Sequence, residues 1–123
     1  MKPFVVSAGV ALLLACGNPT GTDSTGLLVR AAPPVLNLTN QTAAPIYSFV
    51  IDRGAEAYTD WVPCRDPNTC PAIKAGGTSA LAYSQIVGYS STSTEAIVYW
   101  WHLGPDGKNG FRPDSVRAVV TTL

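Results

Sequence analysis

The chain has 123 residues, eight basic and eight acidic side chains, and only 13% charged residues. That balance leaves no basic stripe, so nucleic acid is not an expected partner, and the length suits one domain of modest core. A single histidine excludes the multi-histidine metalloprotease and metallohydrolase signatures, and neither a Gly-x-Gly-x-x-Gly run nor a phosphate loop is present.

The first sixteen residues, MKPFVVSAGVALLLAC, carry one charge, Lys2, ahead of an apolar run from Phe4 to Leu14. Such a run suits a signal-peptide core and is too short for the ~20 residues of a membrane span. Leu13, Leu14, Ala15 and Cys16 fit every position of a lipobox, and here the chain resembles the bacterial lipoproteins. The resemblance implies export, removal of residues 1–15 as a signal peptide, and lipid on Cys16. Several acyl chains would anchor the protein stably to a membrane. In the sorting pattern of these lipoproteins an Asp after the lipidated Cys retains the protein in the inner membrane. Gly17 stands there instead, which favours the outer membrane in a bacterium that has two. Loss of Lys2 would leave the mature chain with a net charge near −1.

Residues 16–33 read as the lipidated cysteine and a flexible tether. GNPTGTDSTG (17–26) is rich in Gly, Thr and Ser and lacks apolar periodicity. A flexible tether of that length would span roughly 20–25 Å. LLVRAA (27–32) is the exception in it, a segment able to dock on the domain. Residues 34–123 form the domain. Val35–Thr39, PIYSFVIDR (45–53), TSALAY (78–83), TEAIVYWWHL (94–103) and DSVRAVVTTL (114–123) alternate and are rich in β-branched and aromatic residues, so they read as strands. AYTDWV (57–62) is a weaker candidate. A short helical turn is expected at Ser84–Val87. GPDGKNG (104–110) holds strong turn formers and predicts an antiparallel hairpin of 94–103 with 111–122.

The fold expected is all-β, a small immunoglobulin-like antiparallel β-sandwich of six or seven strands, with a partly open β-barrel as the alternative. The domain also resembles the short uncharacterised envelope lipoproteins of environmental bacteria, a likeness that implies no activity.

Assigning Cys16 to lipid leaves Cys64 and Cys70 as an even pair in an oxidising compartment. Asp66-Pro67-Asn68 between them reverses the chain and can bring the two Cα atoms within disulfide range. A structural disulfide is the preferred reading. A zinc site would need four ligands at shorter cysteine spacing, with only His102 to add. A redox pair would read Cys-X-X-Cys at a helix start. No cofactor and no metal are expected.

His102 reads as a surface histidine. Ser115, Asp106 and Asp114 are near it in sequence, but no nucleophile elbow marks a catalytic triad. Asp52, Glu56, Asp60, Glu95, Asp106 and Asp114 offer carboxylates for glycoside hydrolysis without singling out a pair. The Asn-X-Thr sequons at Asn37 and Asn40 read as chance. On the strand 94–103, Ile97, Tyr99 and Trp101 are assigned to the core, which puts Trp100 and Val98 on the outer face. An exposed Trp offers large contact area at low entropic cost. Trp100, Val98 and His102, with the loop residues Arg65, Asp66 and Asn68, are therefore the candidate binding surface. The functional expectation is a lipid-anchored, non-enzymatic envelope module contacting another envelope protein or a polysaccharide. A purely structural accessory lipoprotein is the first alternative and a small hydrolase the second.

Overall fold

The computed structural model describes residues 21–123. The signal peptide expected over residues 1–15, and Cys16, lie outside the described residues. Seven strands follow in chain order: β1 (Gly21–Ser24), β2 (Leu27–Ala32), β3 (Val35–Asn40), β4 (Tyr47–Asp52), β5 (Thr78–Ala82), β6 (Glu95–Pro105) and β7 (Phe111–Thr122). They form two antiparallel sheets, β1-β2-β3-β5 and β4-β6-β7, which do not close into a barrel. The only helical elements among the described residues are two single 3-10 turns, at Glu56–Tyr58 and Tyr83–Gln85.

The connectivity is that of an immunoglobulin-like sandwich. β2, β3 and β5 occupy the places of strands A, B and E, and β4, β6 and β7 those of C, F and G. No described strand takes the place of D. The segment that would supply it, residues 53–77, instead crosses the outer face of the second sheet. β1 adds a hairpin partner on the outer side of β2.

The inner faces follow period two. Leu27 and Val29 of β2 and Leu36 and Leu38 of β3 point inward against Val50, Ala96, Val98, Trp100 and Val119 of the second sheet. Ile46, Ile73, Tyr83 and Ile86 close the ends of this core. At ~25 cal/mol per Å² of apolar area removed from water, this aliphatic layer is the main stabilising contact between the sheets.

The tether expected over residues 16–33 is corrected for its second half: residues 21–32 are two strands of the first sheet. Leu27 and Val29 alternate with Leu28 and Arg30, and their burial outweighs the entropy of ordering a Gly- and Thr-rich segment. The weaker strand candidate at 57–62 is also corrected. Glu56–Tyr58 is a 3-10 turn and an irregular loop follows, because Trp61 is drawn onto the outer face of the second sheet rather than into a ladder. The hairpin of residues 94–103 with 111–122 is present as β6–β7. It contains a bulge: Ser115 and Val116 together oppose Trp101, and Ser115 has φ +54°.

Candidate functional site

The faces of β6 are the reverse of those expected. Trp100 is 1% exposed and Val98 fully buried, both between the sheets, while Tyr99, Trp101 and Leu103 face the opposite side. Period two separates the two faces of a strand, but both faces of β6 are apolar, and bulk alone does not tell which of them turns inward. Trp100 is closed off from solvent by the β1–β2 turn. A Cβ on Gly26 (φ +107°) would lie 3.0 Å from the indole ring and 2.7 Å from Thr42 Cγ2, so glycine is required there on two counts. The Arg117 guanidinium lies 5.2 Å from the centre of the Trp100 ring and donates to the Thr25 carbonyl. Trp100 and Val98 are therefore not part of a binding surface.

His102 is half-buried and belongs to a polar cluster at the same end of the sandwich. The side chain of Asn40, which is fully buried, donates to the carbonyls of Ala44 and Ile73 and accepts from the Thr42 amide and hydroxyl. Thr42 Oγ1 also lies 2.9 Å from His102 Nε2. With the hydroxyl proton given to Asn40, the His102 Nε2–H is the donor to Thr42. Ser115 Oγ lies 3.4 Å from Asp114 Oδ1. His102 thus pairs with Thr42 and not with Asp106 or Asp114, and no Ser-His-Asp relay is assembled among the described residues.

The outer face of the second sheet carries a second, aromatic core. Trp61 stacks on Phe49 at 4.4 Å between ring centres and leans on Tyr99 at 4.7 Å and Trp101 at 6.0 Å. Trp101 Nε1–H donates to the Cys64 carbonyl at 2.9 Å. Tyr99 donates its hydroxyl to Glu56, and burial followed by that carboxylate raises the tyrosine above its ordinary pKa. Cys64 and Cys70 form a disulfide with Cα atoms 6.0 Å apart, and Cys70 is buried beside Tyr47 and Trp101. The Asp66 carbonyl accepts from the amides of Thr69 and Cys70, and its carboxylate accepts from the Asn68 amide. The disulfide loop is therefore fixed from below by packing and from within by its own turn.

The loop meets the tip of the β6–β7 hairpin. Arg65 Nε–H donates to the Phe111 carbonyl at 3.2 Å. Asp106 caps the hairpin turn by accepting from the amides of Lys108 and Gly110. Those two bonds, and then nearby Arg65, hold its carboxyl below the usual aspartate range. Between loop and hairpin lies an open cleft of about 450 Å³ lined by Arg65, Pro67, Asn68, Asp106, Asn109 and Phe111. Phe111 is 43% exposed there.

Comparison with protein-family models, with curated proteins and with solved structures finds no match for this chain. The cleft rests on its geometry alone. Of the binding residues expected from the sequence it brings together Arg65, Asp66 and Asn68, and it leaves out Trp100, Val98 and His102. Phe111, Asp106 and Asn109 join them without having been singled out for binding by any sequence pattern. The one signal the sequence holds is an aromatic residue directly after the Gly-rich turn, where no strand face yet claims it. No group of three or more His, Cys, Asp or Glu side chains suited to a metal occurs among the described residues.

Proposed function

We propose that this protein is a lipid-anchored, non-catalytic module of the bacterial cell envelope that binds a polysaccharide in the cleft between the disulfide loop and the β6–β7 tip. The anchor rests on the Leu13–Cys16 lipobox resemblance, which also accounts for the odd cysteine. The observation that carries the site is the pairing of an exposed Phe111 with Arg65 and Asn68 on two loops held in place before any ligand arrives. An aromatic face beside planar, multivalent donors suits sugar rings, which offer an apolar face and hydroxyl edges. A loop already fixed by a disulfide loses little entropy on binding.

Sedimentation with purified bacterial peptidoglycan tests this reading. The wild-type chain is expected in the pellet, and Phe111→Ala and Arg65→Ala each reduce the pelleted fraction about tenfold, the equivalent of ~1.4 kcal/mol. Wild-type protein that stays in solution, or equal pelleting of all three chains, sinks the polysaccharide reading. A second reading, a structural accessory lipoprotein without a discrete ligand site, is favoured by the burial of Trp100.

A further inference from the structure

The directions of the strands divide the sandwich into two ends. One end carries the β1–β2 turn, the 41–45 loop, the disulfide loop and the β6–β7 tip. The Gln41 amide donates to the Gly26 carbonyl, Ile46 and Ile73 exchange both backbone bonds, and Arg65 bonds Phe111. The other end carries the Pro33-Pro34 turn and the Tyr83–Tyr89 segment. There the Tyr83 amide donates to the Pro34 carbonyl, Asp52 to Val87, and Leu123 to Thr94. β6 runs between the two ends, and its eleven residues span about 33 Å.

β1 enters at the second end. Gly21 pairs with Arg30, two residues before β2 finishes at Ala32, so it lies about 7 Å from that edge of the sheet. Four residues separate Cys16 from Gly21. Whatever their conformation, they reach at most about 17 Å. A lipid on Cys16 would therefore let the second end, about 7 Å from Gly21, meet the membrane, whereas the β6–β7 tip, about 26 Å from Gly21, could come no nearer than about 9 Å to the anchor point and could face the membrane only by sinking past it.

We propose that the end of the sandwich formed by the Pro33-Pro34 turn and the Tyr83–Tyr89 segment is held against the lipid headgroup surface, with the Arg65–Phe111 cleft presented away from it. The chemistry of that end fits. Pro33, Pro34, Val87 and Tyr89 are exposed there, and a tyrosine at headgroup level has both an apolar body and a hydroxyl for the wet side. Arg30 and Arg53 lie on the same end, with Arg53 paired to Glu95 at 3.0 Å. The bowl lined by Asp52, Arg53, Ser90, Thr92 and Glu95 opens there too. This inference rests on the lipid anchor proposed above and makes no use of the polysaccharide.

The test uses the lipidated chain in nanodiscs of phosphatidylethanolamine and phosphatidylglycerol carrying a gadolinium-chelating lipid. Co-elution with the discs reports the anchor, and attenuation of amide signals reports orientation. The amides of Ala32, Val35, Ser84 and Tyr89 are expected to lose more than about fivefold as much intensity as those of Lys108, Asn109 and Phe111, given the ~33 Å between the ends. Inserting about a dozen Gly and Ser residues after Thr20 brings that ratio towards one, because the added reach frees the domain. A chain that does not co-elute overturns the anchor, and the orientation with it. A chain that co-elutes with equal attenuation at both ends overturns the orientation alone, and a ratio unchanged by the insertion overturns the argument from reach.

Discussion

Trp100 and Trp101 are neighbours on one strand, each 1% exposed, and they are buried by different means. Trp100 lies between two hydrogen-bonded sheets, among aliphatic side chains from β2, β3, β4 and β7, with Gly26 against its ring. Trp101 lies under an irregular segment, held by one indole-to-carbonyl bond, a stack of aromatic rings and a disulfide. The inner core draws on long-range strand pairing, so its opening is the opening of the whole domain. The outer core lies under a roof fastened by side-chain contacts and a disulfide rather than by strand pairing, so its opening does not require the sheets to part. A sandwich can thus keep a rigid frame and carry a separately fastened cover that lines a cleft.

The largest expected effect belongs to the inner core. Trp100→Ala should cost about 3–5 kcal/mol, read as a loss of global stability in urea. Loss of less than about 1 kcal/mol would mean that the inner and outer tryptophans are equivalent and would break the comparison. Next comes Asn40→Ala, which strips four partners from the buried amide and should cost about 2–4 kcal/mol, again globally, since Asn40 sits at the end of β3.

Reduction of Cys64–Cys70 should cost about 2 kcal/mol in the chain-entropy model. Its signature should be local: faster hydrogen exchange at Thr69 and Cys70, with protection retained at Val29, Leu36 and Val98. Equal loss of protection in both sets would show that roof and frame open together. Trp61→Ala should cost about 1–2 kcal/mol and raise exchange in the same roof segment.

The smallest effect is at the hairpin tip. The folded-state pKa of Asp106 is lowered, so its contribution is present above the unfolded aspartate value and is lost as pH falls through the folded one. The Lys108 and Gly110 amide shifts should titrate with a midpoint below about 3.9, and Asp106→Asn should abolish that titration. A midpoint above that value would remove the cap from the account of the cleft.

The frame is largely legible in the sequence. Alternation in 35–39, 45–53, 78–83, 94–103 and 114–123 marks five of the seven strands, and Pro-Asp-Gly marks the hairpin. The disulfide is legible because Asp66-Pro67-Asn68 turns the chain between two cysteines in a short loop. What is not legible has physical causes. β2 carries its period in three small steps, Leu27, Val29 and Ala31, behind a polar run that masks it. The inner face of β6 cannot be told from the outer, because a strand covered on both sides has no polar face to betray its orientation. The cleft joins residues 65–68 to 106–111 across about a third of the chain, and no local pattern encodes that meeting.

Asn40 also begins the sequence Asn-Gln-Thr, an acceptor for glycosylation in eukaryotic secretion. Its amide nitrogen is the atom that must reach the carbonyls of Ala44 and Ile73, in a space closed to solvent. A sugar attached to that nitrogen before the sheets close would leave no way to form the cluster. The choice of expression host therefore bears directly on folding: a bacterial periplasm leaves Asn40 bare, whereas a yeast or mammalian secretory route opens to glycosylation an asparagine whose side chain is fully buried in the folded domain.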